Sequence, residues 1–215
     1  MKKNLIPCLL LLLVMVTTVI FLSHTKTEKK FTTLRPRQNP TAIVITPKTL
    51  FKIQTKASEA AAFVKKNKYN TEFCFLIDLS LPSNQKRFFI YHFKKDTVLN
   101  SGLVTHGNCN ETWLQGRRYS NITGSGCSST GKYKIGAAYY GKFGLAFKLH
   151  GLDATNDKAM ERYVVLHSHS CVPETEVTRD ICQSNGCPTV SPNFLKEIEP
   201  MIKASKKPIL LWIIE

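Results

Sequence analysis

The sequence is poor in acidic residues and lacks the motifs that mark several large protein classes. It has 15 Asp and Glu against 30 Lys and Arg, which gives a formal net charge of +15. No Gly-x-Gly-x-x-Gly or Walker-type pattern lies between a predicted strand and a helix, so a nucleotide-phosphate cradle is not indicated. No internal repeat is seen, which argues against a solenoid or propeller. No fold motif of nucleic-acid-binding proteins accompanies the positive charge, so we expect no nucleic-acid partner.

Charged residues are also absent from residues 5–22, which are apolar or hydroxylic and follow the basic pair Lys2 and Lys3. A run of about 18 such residues is at the lower limit for a membrane-spanning helix. No convincing small-residue cleavage site follows it. We therefore predict an uncleaved signal anchor over residues 1–24, with the following domain outside the cytoplasm. A cleaved signal peptide is the alternative.

Residues 25–50 are rich in Lys, Thr and Pro, which is typical of a linker between a membrane anchor and a domain. Residues 57–66 contain strong helix formers and predict a short helix. The remaining chain, residues 51–215, is long enough for one domain with its own core.

Strand patterns dominate that domain. Apolar and β-branched runs predict six strands, and the first two are expected to form a hairpin. Ser191 followed by Pro192 predicts the start of a late helix, which Pro200 is expected to break or kink. Because no alternating strand–helix period is present, the sequence predicts a mainly-β sandwich with a few short helices. The predicted strands cover residues 73–79, 87–93, 97–105, 145–149, 162–166 and 208–214.

Two residues about twenty positions apart carry the pattern of a nucleophilic site. His167 follows the predicted strand 162–166, and Cys187 lies between Gly186 and Pro188, which indicates a tight turn. A thiol beside an imidazole can be deprotonated, and the thiolate is the form that attacks. Gly186 would let backbone N–H groups approach a developing oxyanion.

These residues, His167-Ser168 and then Ser184-Asn185-Gly186-Cys187-Pro188, resemble the signature of YkuD-type L,D-transpeptidase catalytic domains. In that family a second His usually precedes the Gly-Cys pair, and here Asn185 takes its place. This departure, together with Pro188, is similar to the sub-branch of murein L,D-transpeptidase catalytic domains. The resemblance covers about residues 72–214, and further similar segments are 102–107, 120–125, 128–133 and 151–156.

The resemblance implies an L,D-transpeptidase-like β fold and a thiol-dependent enzyme of the cell envelope that acts on peptidoglycan stem peptides. It implies that Cys187 is the nucleophile, His167 the general base, and Ser168 the residue whose carbonyl orients the imidazole. The N–H groups of Gly186 and Cys187 would form the oxyanion hole. No cofactor or metal is required, and carbapenems are expected to acylate Cys187. The expected substrate-binding residues are His106, Ser184, Asn185 and His169. The alternative for His106 is a hydrogen-bonded histidine at a strand end, and the alternative for His169 is a cap of its strand end.

Three alternatives remain open from the sequence. The enzyme could be an L,D-carboxypeptidase only, with water as the acyl acceptor. It could be a non-catalytic module that binds the cell wall. A zinc site is the third alternative, because soft ligands fall within one short span. Those ligands are His167, His169, Cys171, Cys182 and Cys187.

Seven cysteines are present, and Cys8 falls in the predicted anchor. In an exported domain some of the others can pair, although sequence alone selects no pairing. We expect Cys171–Cys182, which would fix the loop between the two catalytic elements, and Cys109–Cys127. Reduced, buried cysteines are the alternative.

Overall fold

The computed structural model describes residues 45–215. The predicted anchor over residues 1–24, Cys8 and most of the predicted linker lie outside the described residues. Within residues 45–215 no helix is both long and apolar enough to cross a membrane.

Helix α1 spans Pro47–Lys66 and is longer than predicted. The Thr46 side chain accepts a hydrogen bond from the Thr49 N–H, and Pro47 occupies the first turn, where its missing N–H costs nothing. This capping signal lies in the stretch that was assigned to the linker, so the expected start at residue 57 is wrong. The buried face of α1, formed by Ile53, Ala57, Ala60 and Val64, packs against one face of the sheet.

The mainly-β prediction is confirmed, because eight strands form one hydrogen-bonded mixed sheet in the order β3-β2-β1-β8-β4-β5-β6-β7. Strands β1 and β2 form the predicted antiparallel hairpin, and the buried final strand is also confirmed. Only the β1–β8 and β6–β7 pairs are parallel. The strands are β1 Phe73–Asp78, β2 Phe88–His92, β3 Thr97–Gly102, β4 Gly131–Gly141, β5 Gly144–Gly151, β6 Val165–Ser168, β7 Thr189–Val190 and β8 Leu210–Ile214.

The sheet curls so that its two ends meet. Val104, just beyond β3, forms an antiparallel bridge with Val190 of β7. Strand β3 is therefore shorter than the predicted 97–105, because its continuation leaves β2 and joins the opposite edge of the sheet. The sandwich-like enclosure arises from one folded sheet, and side chains of β1, β5, β6 and β7 share one apolar core.

Helix α2 spans Pro192–Ala204 and fills that core with Phe194, Leu195 and Ile198. Its start is as predicted, because the Ser191 hydroxyl accepts from the Phe194 N–H. The helix continues through Pro200, so a break there is wrong, and a kink stays a prediction. Pro200 and Lys196, whose carbonyl loses its helical donor, both lie on the exposed face, where water can bind that carbonyl.

Two disulfides, Cys109–Cys127 and Cys171–Cys182, confirm the expected pairings. The second closes the loop between β6 and the turn that precedes β7. Val172 and Ile181, each next to one of its cysteines, pack together on Leu103 in a small separate cluster. The disulfide and this cluster together fix both ends of the loop.

Removal of the Cys171–Cys182 bond should lower the free energy of unfolding, because the unfolded chain then gains freedom. For a loop of 11 residues we expect a loss of about 2–4 kcal/mol. Urea denaturation of the Cys171→Ser, Cys182→Ser double variant measures it. The matching Cys109→Ser, Cys127→Ser variant opens a separation of 18 residues and should lose as much or slightly more. A change below about 0.5 kcal/mol in the first variant would contradict the expectation.

Candidate active site

The parallel pair β6–β7 brings together the two residues that the sequence singles out. His167 on β6 is paired with Thr189 on β7, and Cys187 precedes Thr189 by two positions. The turn that carries Cys187 leads directly into β7. His167 and Cys187 consequently line one cleft.

The turn before Cys187 requires glycine. Gly186 has a φ of +107°, and a Cβ there would lie 2.6 Å from the carbonyl oxygen of Cys127. The Ser184 hydroxyl closes this turn, since it accepts from the Gly186 N–H at 3.2 Å and donates to the Cys187 carbonyl at 2.7 Å. One of the two N–H groups expected to bind an oxyanion is thus engaged within the turn.

The Cys187 thiol is free and partly buried. Its sulfur lies 3.5 Å from the Val165 nitrogen, which donates to it, and 3.7 Å from the Tyr163 carbonyl oxygen. Burial raises the pKa of the Cys187 thiol, whereas the Val165 N–H and the Arg162 guanidinium act in the opposite direction. At neutral pH the thiol therefore keeps its proton in this resting arrangement.

Three contacts hold the His167 imidazole. Nδ1 lies 3.1 Å from the Ser168 carbonyl oxygen, and Nε2 lies 3.1 Å from the Thr189 hydroxyl. The Phe143 ring stacks on the imidazole, with ring centroids 4.9 Å apart and planes at 18°. Burial lowers the pKa of His167; the Ser168 carbonyl opposes this and the neighbouring His169 adds to it. The resting pair is thus a neutral thiol and a neutral imidazole, so deprotonation must accompany attack.

The cleft between them has a volume of about 220 Å³. Its wall combines hydroxyl, amide and imidazole groups with one exposed phenyl ring, which suits a polar, peptide-like ligand. The residues that line it are Thr105, Phe143, His167, His169, Cys171, Gln183, Ser184, Asn185, Cys187 and Thr189.

Of the predicted substrate-binding residues, Ser184, Asn185 and His169 line the cleft. His106 is elsewhere: it is 7% exposed, and the buried Arg87 lies 3.1 Å from its Nδ1. Gln183 stands at its other nitrogen, 3.4 Å from Nε2, and itself faces the cleft. Burial, with Arg87 and Arg117, lowers the pKa of His106 to about 4.

A second groove of about 300 Å³ lies beside the residues that precede and begin β6. Tyr163 and Val165, whose backbone atoms contact the Cys187 sulfur, also form part of its wall. Tyr163 has a φ of +54° and is 85% exposed, so β6 begins at Val165 and the predicted strand start at residue 162 is wrong. An exposed aromatic surface thus adjoins the thiol; the groove is lined by Tyr139, Lys148, Met160, Tyr163, Val164 and Val165.

Three residues that shape the site are not among the predicted site residues. Thr189 could be predicted as a site residue from the sequence, because a strand that follows the Cys187 turn places every second side chain on one face. Phe143 occupies the tip of the β4–β5 hairpin between the paired Gly141 and Gly144. No motif in the sequence points to Arg162. It donates to the carbonyls of Ser120 and Cys127, and so it holds the loop that contains Cys127 against Gly186.

The candidate zinc ligands do not assemble. Cys171 and Cys182 are joined in a disulfide, so neither offers a thiolate. Within residues 45–215, no group of three or more His, Cys, Asp or Glu side chains has the arrangement of a metal site.

The chain matches a known protein family. Residues 46–211 match the model of the L,D-transpeptidase catalytic domain family. No curated protein sequence matches significantly. Among solved structures, an L,D-transpeptidase from Mycobacterium smegmatis is 11% identical with a TM-score of 0.39, over 67% of this chain and 59% of that one. The helical cell shape determining protein Pgp2 from Campylobacter jejuni is 14% identical with a TM-score of 0.41, over 67% of this chain and 48% of that one.

The chain spans less than two thirds of the length of these solved structures. The family match, in contrast, covers most of the 215 residues and includes both β6 and the turn that carries Cys187. The protein therefore belongs to the family of L,D-transpeptidase catalytic domains.

Proposed function

We propose that this protein is a cysteine-dependent L,D-transpeptidase that acts on peptidoglycan stem peptides in the cell envelope. The observation that carries the proposal is the β6–β7 pairing, through which a free thiol and a buried imidazole share one cleft. Family membership supplies the reaction class. The proposed site adds the residues that carry it out.

Acylation begins when Cys187 turns from the Tyr163 carbonyl towards Nε2 of His167 and transfers its proton. The thiolate attacks the carbonyl of an L-centre in the stem peptide, and the carbonyl electrons move to oxygen. The oxyanion is stabilised by the Cys187 N–H and by the Gly186 N–H, which exchanges its bond to Ser184 for one to the substrate. When the C–N bond breaks, the imidazolium returns the proton to the departing D-residue, and a thioester remains.

Deacylation reverses these roles. His167 takes a proton from an incoming amine, the amine attacks the thioester, and the thiolate leaves and is reprotonated. An amine acceptor yields a cross-link, whereas water yields a trimmed stem peptide. Splitting one difficult amide exchange into two thioester steps is the benefit of a thiol nucleophile.

The cleft walls suit the proposed donor. Ser184, Asn185 and His169 offer hydrogen-bonding groups to a peptide backbone. His106 takes part indirectly, through Gln183. The formal charge of +15 favours association with anionic wall polymers, or with lipid head groups if residues 1–24 anchor the chain in a membrane.

The reaction products test the proposal. The full chain, in detergent or lipid nanodiscs, is incubated with a disaccharide-tetrapeptide, and the products are separated and weighed by mass spectrometry. We expect a cross-linked dimer together with the released D-residue. Tripeptide without dimer would identify an L,D-carboxypeptidase instead.

A thiol-blocked sample provides the control. Protein alkylated at Cys187 with iodoacetamide should form neither product, while the untreated sample forms at least one. If untreated protein gives neither dimer nor tripeptide with any stem peptide offered, the proposed reaction is wrong. If both samples are equally active, the thiol is not the nucleophile.

A further inference from the structure

We infer that Thr189 is a positioning residue that supplies the His167 imidazole with a hydrogen bond in both of its protonation states. The inference rests on the proposed roles of His167 and Cys187. It concerns a hydroxyl group that is buried between them and that the proposed reaction does not otherwise use.

The resting hydrogen bonds fix where the protons are. Nδ1 of His167 faces the Ser168 carbonyl oxygen, which can only accept, so Nδ1 carries the ring hydrogen. In the neutral ring Nε2 is then an acceptor, and the Thr189 hydroxyl at 3.1 Å is its donor. The lone pair that must take the thiol proton is therefore held towards Thr189.

For proton transfer the same hydroxyl must first reverse its role, because the single lone pair of Nε2 cannot accept the Thr189 hydrogen and take the thiol proton at once. The S–H bond of Cys187 breaks and an Nε2–H bond forms, so Nε2 becomes a donor. The Thr189 oxygen can accept this hydrogen if its own hydrogen turns to another acceptor. The Cys187 carbonyl oxygen lies 3.4 Å away and is suitably placed. The O–H bond of Thr189 stays intact throughout.

The strand ladder prevents Thr189 from moving away. Its N–H donates to the Thr105 hydroxyl at 3.2 Å, and its carbonyl accepts from the Thr105 N–H at 2.9 Å. On the other side it is paired with His167. A hydroxyl held in this way can rotate its hydrogen but cannot leave the imidazole.

The charged groups around the pair make this hydroxyl more important. His169 is the titratable side chain that acts on His167, the Arg162 guanidinium acts on Cys187, and the Tyr133 phenol lies near the thiol. Within residues 45–215, neither hydrogen bond of the His167 ring goes to a carboxylate. An imidazolium formed here therefore depends on neutral partners, the Ser168 carbonyl and the Thr189 hydroxyl.

The test is the pH profile of Cys187 alkylation by iodoacetamide, followed by peptide mass spectrometry so that other cysteines do not contribute. Thr189→Val keeps the shape and removes the hydroxyl, so the imidazolium loses a charge-assisted hydrogen bond. We expect alkylation near neutral pH to slow by about tenfold and the profile to shift to higher pH. Thr189→Ser, which restores the hydroxyl, should restore most of the rate.

The His167→Ala background distinguishes a role of Thr189 through the imidazole from a purely structural role. If Thr189 acts through the imidazole, Thr189→Val should have no further effect there. An equal slowing with and without His167, an unaltered rate in Thr189→Val, or a Thr189→Ser variant as slow as Thr189→Val would each overturn the inference. Thr189→Ala replaces Thr189→Val if circular dichroism shows that the valine variant does not fold. Alkylation needs no substrate, so a failure of the proposed transpeptidation would be visible independently.

Discussion

Replacing Cys187 with alanine is expected to abolish both transpeptidation and the formation of a covalent carbapenem adduct. The sulfur is the only atom in the proposed mechanism that bonds to the substrate, and without it no thioester forms. We expect turnover to fall by at least about 10⁴-fold, as when the nucleophile of a covalent enzyme is removed. The wild-type chain should gain the full mass of one carbapenem, because ring opening releases no atom.

Cys74 provides the matched control for this experiment. It is the other free cysteine within residues 45–215, and it is fully buried in β1. Burial raises the pKa of its thiol, so it remains protonated and unreactive. Cys74→Ala should keep the adduct and the turnover. If Cys74→Ala lost the adduct and Cys187→Ala kept it, Cys187 would not be the nucleophile.

Gly186→Ala should have the second-largest effect. Alanine would have to adopt a φ of +107°, and its Cβ would lie 2.6 Å from the Cys127 carbonyl oxygen, a backbone atom tied to Arg162. The turn must shift to relieve this contact, and the sulfur and both proposed oxyanion donors shift with it. We expect turnover to fall by more than about 100-fold, since small displacements of reacting groups are costly, with a loss of about 2–4 kcal/mol in unfolding free energy.

Gly124→Ala separates backbone strain from this steric contact. Gly124 also has a positive φ, +80°, but a Cβ there would meet nothing within 4 Å. It should lose about 1 kcal/mol of stability and keep its turnover, measured by the same denaturation and product assays. If Gly186→Ala behaves like Gly124→Ala, the contact with Cys127 does not hold the thiol in place.

Local patterns in the sequence predicted the elements that are formed by local interactions. The β1–β2 hairpin, the capped start of α2 and the final strand β8 each follow from residues adjacent in the chain. The start of α1 also follows from adjacent residues, but Pro47 comes after a proline-rich stretch, so the predicted linker includes it. Pro200 does not end α2. The carbonyl of Lys196, which loses its N–H donor because of Pro200, lies on the exposed face, where water can bind it.

The long-range features could not be predicted in the same way. That β6 and β7 pair in parallel, and that Val104 bridges to Val190, depends on contacts between segments far apart in the chain. The role of Thr189 at Nε2 depends on that pairing, as does the burial of His106 behind Gln183. Motif spacing placed His167 and Cys187 together, whereas the partners of each ring nitrogen and of the sulfur emerge only from the folded sheet.

The pairing of β6 with β7 brings His167 and Cys187 to one cleft, and residues 172–181 of the loop closed by Cys171 and Cys182 contribute nothing to the wall of that cleft. Thr178 and Arg179 lie exposed within that loop. A dye or affinity handle attached there would leave the hydrogen bonds between β6 and β7 and the wall of the cleft unchanged.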